Sequence, residues 1–397
     1  MSGSIDVQVA LQSRRLLIAP LVSRRLSALL LSILLLVVVS ACSAGPVTGE
    51  TSPTGAASTS PSASGPGGYR VVFTAATTSG SEIFLYDSAS SAPQQLVSLA
   101  AGVPPAVVFI SPQKIAYTDN VNQTAGRIVT VDLSTKASTT DTTASGYVPA
   151  FAYSHDGSML AYLVHDPSGK AALHLRHNGQ ETTLNLNPIP GRGTGRDDEV
   201  SLQYAPDDKY LLMVDTFVGN QGQAPETGQF LVLRTNDNSV AFVPPSGVSS
   251  NATMAVWARH SDRLYYRDAI GVRSWDAGST SVGTLATALH WYDPAPSPDD
   301  RVMAYTDIDA QSVPHVRLLD VQTHQTSALV STPRSHPIFL TADLIWYLEE
   351  QPCQSECLGG PSQTSGKVLA YSLVSKSETA LPFTDVHDLS QLAVSGR

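Results

Sequence analysis

Two short stretches of the sequence contain residue types that bind ligands. In PGRGTGRDDE, two arginines precede three consecutive acidic residues: Arg192, Arg196, Asp197, Asp198 and Glu199. The forked donors of arginine suit an anionic ligand, and clustered carboxylates suit Ca²⁺. The glycines do not form a phosphate loop, because the Lys and Ser or Thr of that motif are missing. We interpret the stretch as a solvated loop, with an anion site or a Ca²⁺ site as the alternatives.

The second stretch reads HWYD and ends in Trp291, Tyr292 and Asp293. Aromatic rings beside a carboxylate suit sugars or peptide side chains. The alternative, which we favour, is structural packing. The ten histidines are scattered, and the sequence contains neither a zinc-binding motif nor a nucleophile elbow. We therefore predict no catalytic residue, no resident metal and no cofactor.

The N-terminal region has the organisation of a targeting signal. Four arginines precede residue 26, and the apolar run LSALLLSILLLVVV occupies 26–39. That run is shorter than the ~20 residues of a comfortable membrane span. It leads into Val-Ser-Ala-Cys, and small residues directly before Cys42 resemble the lipobox of bacterial lipoproteins. This resemblance implies a signal peptide over 1–41, a diacylglycerol thioether on Cys42 and a further acyl chain, such as palmitate, on the new amino terminus. A plain signal anchor is the alternative.

The region after Cys42 predicts a tether and an oxidising compartment. Residues 43–68 consist mainly of Ser, Thr, Gly, Pro and Ala, so they cannot bury enough apolar surface to fold. We interpret 42–68 as a lipidated cysteine followed by a flexible tether. The remaining cysteines, Cys353 and Cys357, are expected to form a disulfide outside the cytoplasm. Free thiols and a metal site are the alternatives.

The rest of the chain is built from a repeated turn and strand. SPDDRVMAY at 297–305 has counterparts that start at 111, 154, 205 and 259, and a degenerate one that starts at 340. A second alternating strand follows each copy, with weaker strands before and after. One unit therefore comprises four antiparallel strands in roughly 40 to 50 residues, which is the size of a propeller blade. We predict that Asp299 and Asp300 of this turn are structural, with a Ca²⁺ site as the alternative.

The repeats predict an all-β, seven-bladed propeller over 69–397, with six or eight blades as alternatives. The second strand element occurs seven times, but the first unit lacks its first strand. We expect the C-terminal segment 388–397 to supply that strand and complete the first blade. Ring closure of this kind removes exposed sheet edges.

The turn motif is similar to the SPDG repeats of TolB-type periplasmic β-propellers. Ser154-His155-Asp156-Gly157 and the SPDD of 297–300 are the best matches. The resemblance covers nearly all of the chain after the tether. It implies a propeller of the bacterial cell envelope, but not one activity, because such repeats occur in translocation proteins, peptidase propellers and lyases.

The loop lengths predict one decorated face and one plain face. The long loops fall at 187–200, 215–228 and 349–366, whereas the SPDD-type turns on the other side are tight. Binding residues are often carried on loops that a rigid scaffold holds. We therefore expect function on the face where the innermost strands begin.

Taken with the lipobox, these features favour a non-enzymatic binding or scaffold protein. We expect a monomer, anchored outside the cytoplasm to the bacterial cell membrane, that engages an envelope protein or a glycan. The alternative is a propeller enzyme of the polysaccharide lyase or quinone-dependent dehydrogenase type, with its active site at the channel mouth. The net charge of −10 argues against a nucleic-acid partner.

Overall fold

The computed structural model divides the chain into two compact units, Met1–Ser62 and Ala63–Arg397. The structure describes residues 68–394 of the second unit, apart from these gaps: 78–79, 91, 101–104, 123, 169, 189–199, 216–217, 220–229, 245–254, 269, 288–289, 354–361 and 382–392. Cys42 and residues 1–67 lie outside the described residues. Within the described part, no helix has the length and apolarity needed to cross a membrane.

The described residues form seven antiparallel sheets, which we number as blades 1 to 7. The strands in chain order are β1 Arg70–Thr77, β2 Gly80–Asp87, β3 Gln94–Ala100, β4 Val107–Ser111, β5 Lys114–Asn122, β6 Ala125–Asp132, β7 Ser138–Ala144, β8 Phe151–Tyr153, β9 Met159–His165, β10 Ala171–His177, β11 Gln180–Pro188, β12 Val200–Tyr204, β13 Tyr210–Asp215, β14 Val218–Gly219, β15 Phe230–Arg234, β16 Val240–Phe242, β17 Val256–Trp257, β18 Arg263–Arg267, β19 Val272–Asp276, β20 Val282–Ala286, β21 Tyr292–Pro296, β22 Val302–Ile308, β23 Pro314–Asp320, β24 Thr326–Ala328, β25 Arg334–Thr341, β26 Leu344–Pro352, β27 Ser362–Ser372, β28 Ser377–Ala380 and β29 Ala393–Val394.

The strand order of each blade is given from the innermost to the outermost strand. The orders are β29-β1-β2-β3, β4-β5-β6-β7, β8-β9-β10-β11, β12-β13-β15-β16, β17-β18-β19-β20, β21-β22-β23-β24 and β25-β26-β27-β28. The predicted seven-bladed propeller with four-stranded blades is confirmed. One further strand was not predicted: β14, in a long loop of blade 4, pairs with the end of β11 and extends blade 3.

The SPDD-type turn forms because its side chains satisfy its own backbone. The Ser297 hydroxyl donates to Asp299 and accepts the Val302 N–H at 3.0 Å. The last turn residue has a left-handed backbone, with φ of 57° at Asp300 and 72° at the equivalent Gly157. Glycine and, less readily, aspartate adopt this conformation. The turn then enters a second strand such as β22, whose side chains are buried on both faces.

Apolar clusters between neighbouring blades hold the ring together. Each of seven buried clusters contains side chains from two adjacent blades, and together they join every blade to the next. Fully buried Trp257 and Trp275 lie between blades 4 and 5, and fully buried Trp346 lies between blades 7 and 1. Because both faces of each sheet are covered, the strands are apolar at nearly every position.

The C-terminal strand closes the ring, as predicted. Val394 pairs with Val71, and Ala393 pairs with Val72, so β29 becomes the innermost strand of blade 1. Its two side chains serve different interfaces. Val394 packs into the cluster between blades 7 and 1, and Ala393 packs into the cluster between blades 1 and 2. The chain end therefore contributes to both neighbours of the first blade.

Acidic turn residues also accept backbone hydrogen bonds from neighbouring blades, and we call these contacts the blade clasp. The Asp300 carboxylate of blade 6 accepts the backbone N–H groups of Arg259 and His260 in blade 5, at 2.5 and 2.9 Å. The Asp208 carboxylate of blade 4 likewise accepts the His155 N–H of blade 3 at 2.9 Å. These contacts give the second acidic residue of the turn a structural role.

Candidate functional site

The strand order defines two faces of the propeller. On the loop face, the innermost strands begin and the connections between second and third strands lie; on the turn face lie the SPDD-type turns. Among the described residues, four large hydrophobic side chains are exposed: Val121 by 64%, Ile270 by 62%, Tyr292 by 41% and Val374 by 75%. The first three lie on the loop face, and Val374 lies in the β27–β28 turn of the opposite face.

Several predicted site residues lie outside the described part of the chain. These are Arg192, Arg196, Asp197, Asp198 and Glu199, together with Cys357. Cys353 directly follows β26. Because Cys357 lies outside the described residues, the pairing of the two cysteines stays a prediction. Among the described residues, no three His, Cys, Asp or Glu side chains gather closely enough to hold a metal ion.

The three described candidates of the HWYD stretch have different environments. Trp291 is only 2% exposed and packs between blades 5 and 6, with its ring 4.8 Å from that of Tyr305. Tyr292 is exposed, and its ring lies nearly parallel to that of His290 at 6.2 Å. Asp293 turns toward blade 7, where it meets residues that the sequence had not indicated.

Asp293 and His336 occupy equivalent bulges in neighbouring blades. The register between β21 and β22 shifts after Tyr292, and the register between β25 and β26 shifts after Ser335. Both bulged residues have a left-handed backbone, with φ of 50° at Asp293 and 53° at His336. Such a conformation costs a non-glycine residue about 1 kcal/mol or more. Backbone strain of this kind concentrates at functional sites.

A hydrogen-bonded chain connects these two bulges to a buried carboxyl group. His336 Nδ1 lies 2.8 Å from Ser335 Oγ, and the Ser335 hydroxyl donates to Glu350 Oε1 at 2.5 Å. On the other side of the ring, His336 Nε2 lies 3.7 Å from Asp293 Oδ2. The Thr306 hydroxyl accepts the His336 N–H at 3.0 Å and donates to Asp293 Oδ2 at 3.2 Å. We call these five residues the blade 6–7 cluster.

The blade 6–7 cluster runs from the interior to the solvent. Ser335 and Thr306 are buried, Glu350 is 9% exposed, and the side chain of His336 is 27% exposed. Burial raises the pKa of Glu350, while the Ser335 hydroxyl and the nearby His336 act in the opposite direction. Three ionisable groups therefore converge at the loop face beside the exposed Tyr292. The arrangement can exchange protons and can accept hydrogen bonds from a ligand.

The charged neighbours of the cluster have partners of their own. Arg334 forms a bidentate pair with Glu378, at 3.0 and 3.1 Å. Glu349 lies 3.3 Å from Lys367. These two pairs neutralise the charges that lie next to the cluster on β25 and β26.

Seven four-stranded antiparallel sheets in a ring that β29 closes make this fold a β-propeller. No known family profile matches the sequence, and no curated protein matches it. An oligogalacturonate lyase in complex with manganese is 14% identical, with a TM-score of 0.55; the match covers 77% of this chain and 87% of that chain. The β-propeller domain of the Trilobed protease from Pyrococcus furiosus is 13% identical, with a TM-score of 0.50; the match covers 80% and 95%.

TolB from Acinetobacter baumannii is also similar, at 15% identity and a TM-score of 0.47. That match covers 82% of this chain and 66% of TolB, which is just under two thirds of its length. The Pyrococcus domain is described as having an open velcro topology, whereas β29 closes the ring here. At these identities, the similarity establishes the propeller fold and does not assign an activity.

Proposed function

We propose that this protein is a lipid-anchored, extracytoplasmic propeller that binds a protein or a glycan of the bacterial envelope through its loop face. The observation that carries the proposal is the position of the exposed apolar residues. Val121, Ile270 and Tyr292 come from blades 2, 5 and 6, yet all lie on the loop face. They are exposed on the face that carries the long loops, and loops held by a rigid scaffold often carry binding residues.

The opposite face supports the same assignment. There the turns are short, and carboxylates such as Asp300 and Asp208 use their oxygens to bind the backbone of the next blade. A face whose polar groups are satisfied internally has fewer groups left for a partner. The loop face instead carries the bulges at Asp293 and His336, where the strand pairing is interrupted.

The proposal is tested by placing one charge on each face. Ile270→Asp and Val121→Asp should reduce the amount of partner that co-purifies with the protein from solubilised membranes. Val374→Asp, which alters a still more exposed valine on the turn face, should leave that amount unchanged. Equal recovery with all three variants, at unchanged thermal stability, would refute loop-face binding.

The lipid anchor is proposed from the lipobox resemblance at Cys42. Cys42→Ala should move the protein from the membrane fraction to the soluble fraction, because the acyl chains would no longer be attached. Mass spectrometry of the mature amino terminus should show the diacylglycerol and the third acyl chain in the unaltered protein only. Membrane fractionation that is unaffected by Cys42→Ala would refute the anchor.

A second candidate function is catalysis at the loop face, of the polysaccharide lyase or quinone-dependent dehydrogenase type. The observation that favours it is that Asp293 and Glu350 lie on either side of His336, since acid–base catalysis uses ionisable groups held close to the substrate. Purified protein should then release unsaturated products from acidic polysaccharides or reduce a redox dye in the presence of a quinone. His336→Gln should abolish that activity. No turnover above the His336→Gln background would remove this candidate.

A further inference from the structure

Three polar side chains meet in the interior of blade 5, close to the loop face. Tyr266 on β18 is directly opposite Arg273 on β19, so both side chains lie on the same face of the sheet. Asp268 follows at the end of β18. Tyr266 is fully buried, the side chain of Asp268 is 2% exposed, and that of Arg273 is 14% exposed. The Tyr266 ring packs against Phe230, so the group lies on the side of blade 5 that faces blade 4.

Two of these side chains have hydrogen-bonding atoms that the surrounding protein does not satisfy. Among the described residues, no group forms a hydrogen bond with the Tyr266 hydroxyl or with Arg273 Nε, and both atoms are shielded from bulk solvent. Arg273 Nε lies 3.6 Å from Asp268 Oδ2, which is too long for a direct hydrogen bond. Buried polar atoms in such positions often bind an internal water molecule or an ion, because leaving them unpaired costs free energy.

The charges and the chemistry of these groups favour water over an ion. The Asp268 carboxylate and the Arg273 guanidinium oppose each other, so a cation would be repelled by one and an anion by the other. Burial, with a smaller contribution from Asp268, raises the pKa of Tyr266 to about 12, while Arg273 acts in the opposite direction. The phenol therefore keeps its hydrogen at neutral pH. One water molecule can accept from Arg273 Nε and Tyr266 and donate to Asp268, which gives the three hydrogen bonds typical of a buried water.

The Asp268 carboxylate also connects this buried group to the surface. Its Oδ1 atom accepts the N–H groups of Ile270 and Gly271 at 2.7 and 3.1 Å, and the Asp268 N–H donates to the Gly271 carbonyl at 3.0 Å. These bonds hold the connection between β18 and β19. Ile270 lies in that connection and is exposed by 62% on the loop face. One oxygen of Asp268 therefore shapes the connection, and the other lies beside Arg273.

We propose that Tyr266, Asp268 and Arg273 bind one internal water molecule, and that this water fixes the connection that presents Ile270 to the partner. The proposal rests on the loop-face binding function and adds Tyr266 and Arg273 to it as positioning residues. Holding the backbone around Ile270 in one conformation reduces the entropy that is lost on binding. The water thus contributes to affinity without contacting the partner.

The sign of one stability change tests the water. Tyr266→Phe removes only the hydroxyl group, and if that hydroxyl donates to a bound water, the urea midpoint of unfolding should fall. If the hydroxyl has no partner, its removal ends the cost of burying it, so an unchanged or raised midpoint would overturn the proposal. Tyr347→Phe is the matched control, because the hydroxyl of fully buried Tyr347 donates to Glu378 at 2.6 Å. Its midpoint should also fall.

A crystal structure of the full chain that resolves ordered water identifies the ligand directly. We expect one water oxygen within hydrogen-bond distance of the Tyr266 hydroxyl, Arg273 Nε and Asp268 Oδ2. A direct hydrogen bond between Arg273 and Asp268 with no water beside them would overturn the proposal. An ion at this position, recognised by its anomalous scattering, would overturn it as well.

Hydrogen exchange measures the effect on the connection. Tyr266→Phe should increase the rate of amide exchange several-fold in the peptide that contains Ile270 and Gly271, because Asp268 loses a water that holds it in place. The turn at Asp309 in blade 6 is the internal control, since the Asp309 carboxylate likewise accepts two backbone N–H groups. Exchange there should not change. An unaltered rate at Ile270 would refute the positioning role.

Partner recovery separates this proposal from the one on which it rests. Tyr266→Phe should reduce the amount of partner recovered from solubilised membranes, although less than Ile270→Asp does, and Tyr347→Phe should leave it unchanged. If Ile270→Asp keeps full recovery, the parent function fails at Ile270, while the midpoint and the crystal structure still decide whether the water site exists. If Ile270→Asp loses the partner and Tyr266→Phe keeps it, loop-face binding stands and the positioning role is refuted.

Discussion

Asp293 Oδ2 and His336 Nε2 lie 3.7 Å apart, although the two residues belong to different blades. Their proximity follows from a repeated backbone feature. Each residue directly precedes a proline, Pro294 or Pro337, inside the innermost strand of its blade. Proline has no N–H to give to the strand ladder, so the pairing shifts and a bulge forms. Two equivalent bulges in adjacent blades thus bring their side chains together at the loop face.

The blade clasp predicts a loss of stability when Asp300 is replaced by glycine. Glycine suits the left-handed backbone at this position, where φ is 57°, so Asp300→Gly removes the carboxylate without adding strain. The N–H groups of Arg259 and His260 lose their acceptor. We expect the free energy of unfolding to fall by about 1–2 kcal/mol, measured by urea denaturation.

A matched control separates the clasp from turn chemistry. The Asp237 carboxylate accepts the Ser239 N–H within its own blade, so Asp237→Ala should cost less than Asp300→Gly. Asp208→Gly, which releases His155 of the preceding blade, should behave like Asp300→Gly. An Asp300→Gly protein as stable as the unaltered one would contradict an energetic role for the clasp.

Acid should destabilise the propeller through its turn carboxylates. Hydrogen bonds from the Ser134 hydroxyl and the Thr135 N–H lower the pKa of Asp132 to about 2, and the Ser158 N–H and Ser154 hydroxyl do the same for Asp156. The unfolded-state pKa is about 3.9. Because the folded pKa is the lower one, this stabilisation is complete above about pH 4 and is lost as the pH falls through about 2.

The measurement is the urea midpoint as a function of pH between 5 and 2. The double variant Asp132→Asn and Asp156→Asn should show a shallower decline than the unaltered protein, because two of the groups that take up protons on unfolding are gone. An identical decline in both proteins would show that these carboxylates are not linked to folding.

Because the chain end closes the ring, we predict that the stability of the propeller depends strongly on the last ten residues. Deleting 388–397 removes β29 and exposes the edge of β1, together with apolar surface toward blades 7 and 2. We expect a loss of roughly 3 kcal/mol in unfolding free energy and aggregation that increases with concentration. Deleting only 395–397, which keeps Ala393 and Val394, should be tolerated. A normal melting curve for the longer deletion would contradict closure.

The fold could be predicted from the sequence because its signal is repeated. The SPDD-type turn recurs with a fixed relation to alternating strands, so the blades could be counted and the missing strand of blade 1 assigned to the chain end. The role of Trp291 was harder to predict, because a single aromatic residue is equally compatible with a packed interface and with an open binding site. The structure buries it between blades 5 and 6.

The blade 6–7 cluster was missed because its members are distant in sequence and individually ordinary. Ser335, His336 and Glu350 carry no motif, and their relation to Asp293 depends on which blades are adjacent. The prolines after Asp293 and His336 were the available signal, because they mark the same position in two successive units. Neither β14 nor the Asp300 clasp could be predicted, since each depends on contacts between blades.

The central claim is that partners bind the loop face. Its most direct test is site-specific photocrosslinking in intact cells, with a photoreactive amino acid introduced in place of Ile270 or, as the control, of Val374. Both side chains are exposed, by 62% and 75%, and they lie on opposite faces. We predict a discrete crosslinked species with the Ile270 replacement and none with the Val374 replacement. A crosslink from Val374 alone, or the same species from both positions, would contradict loop-face binding.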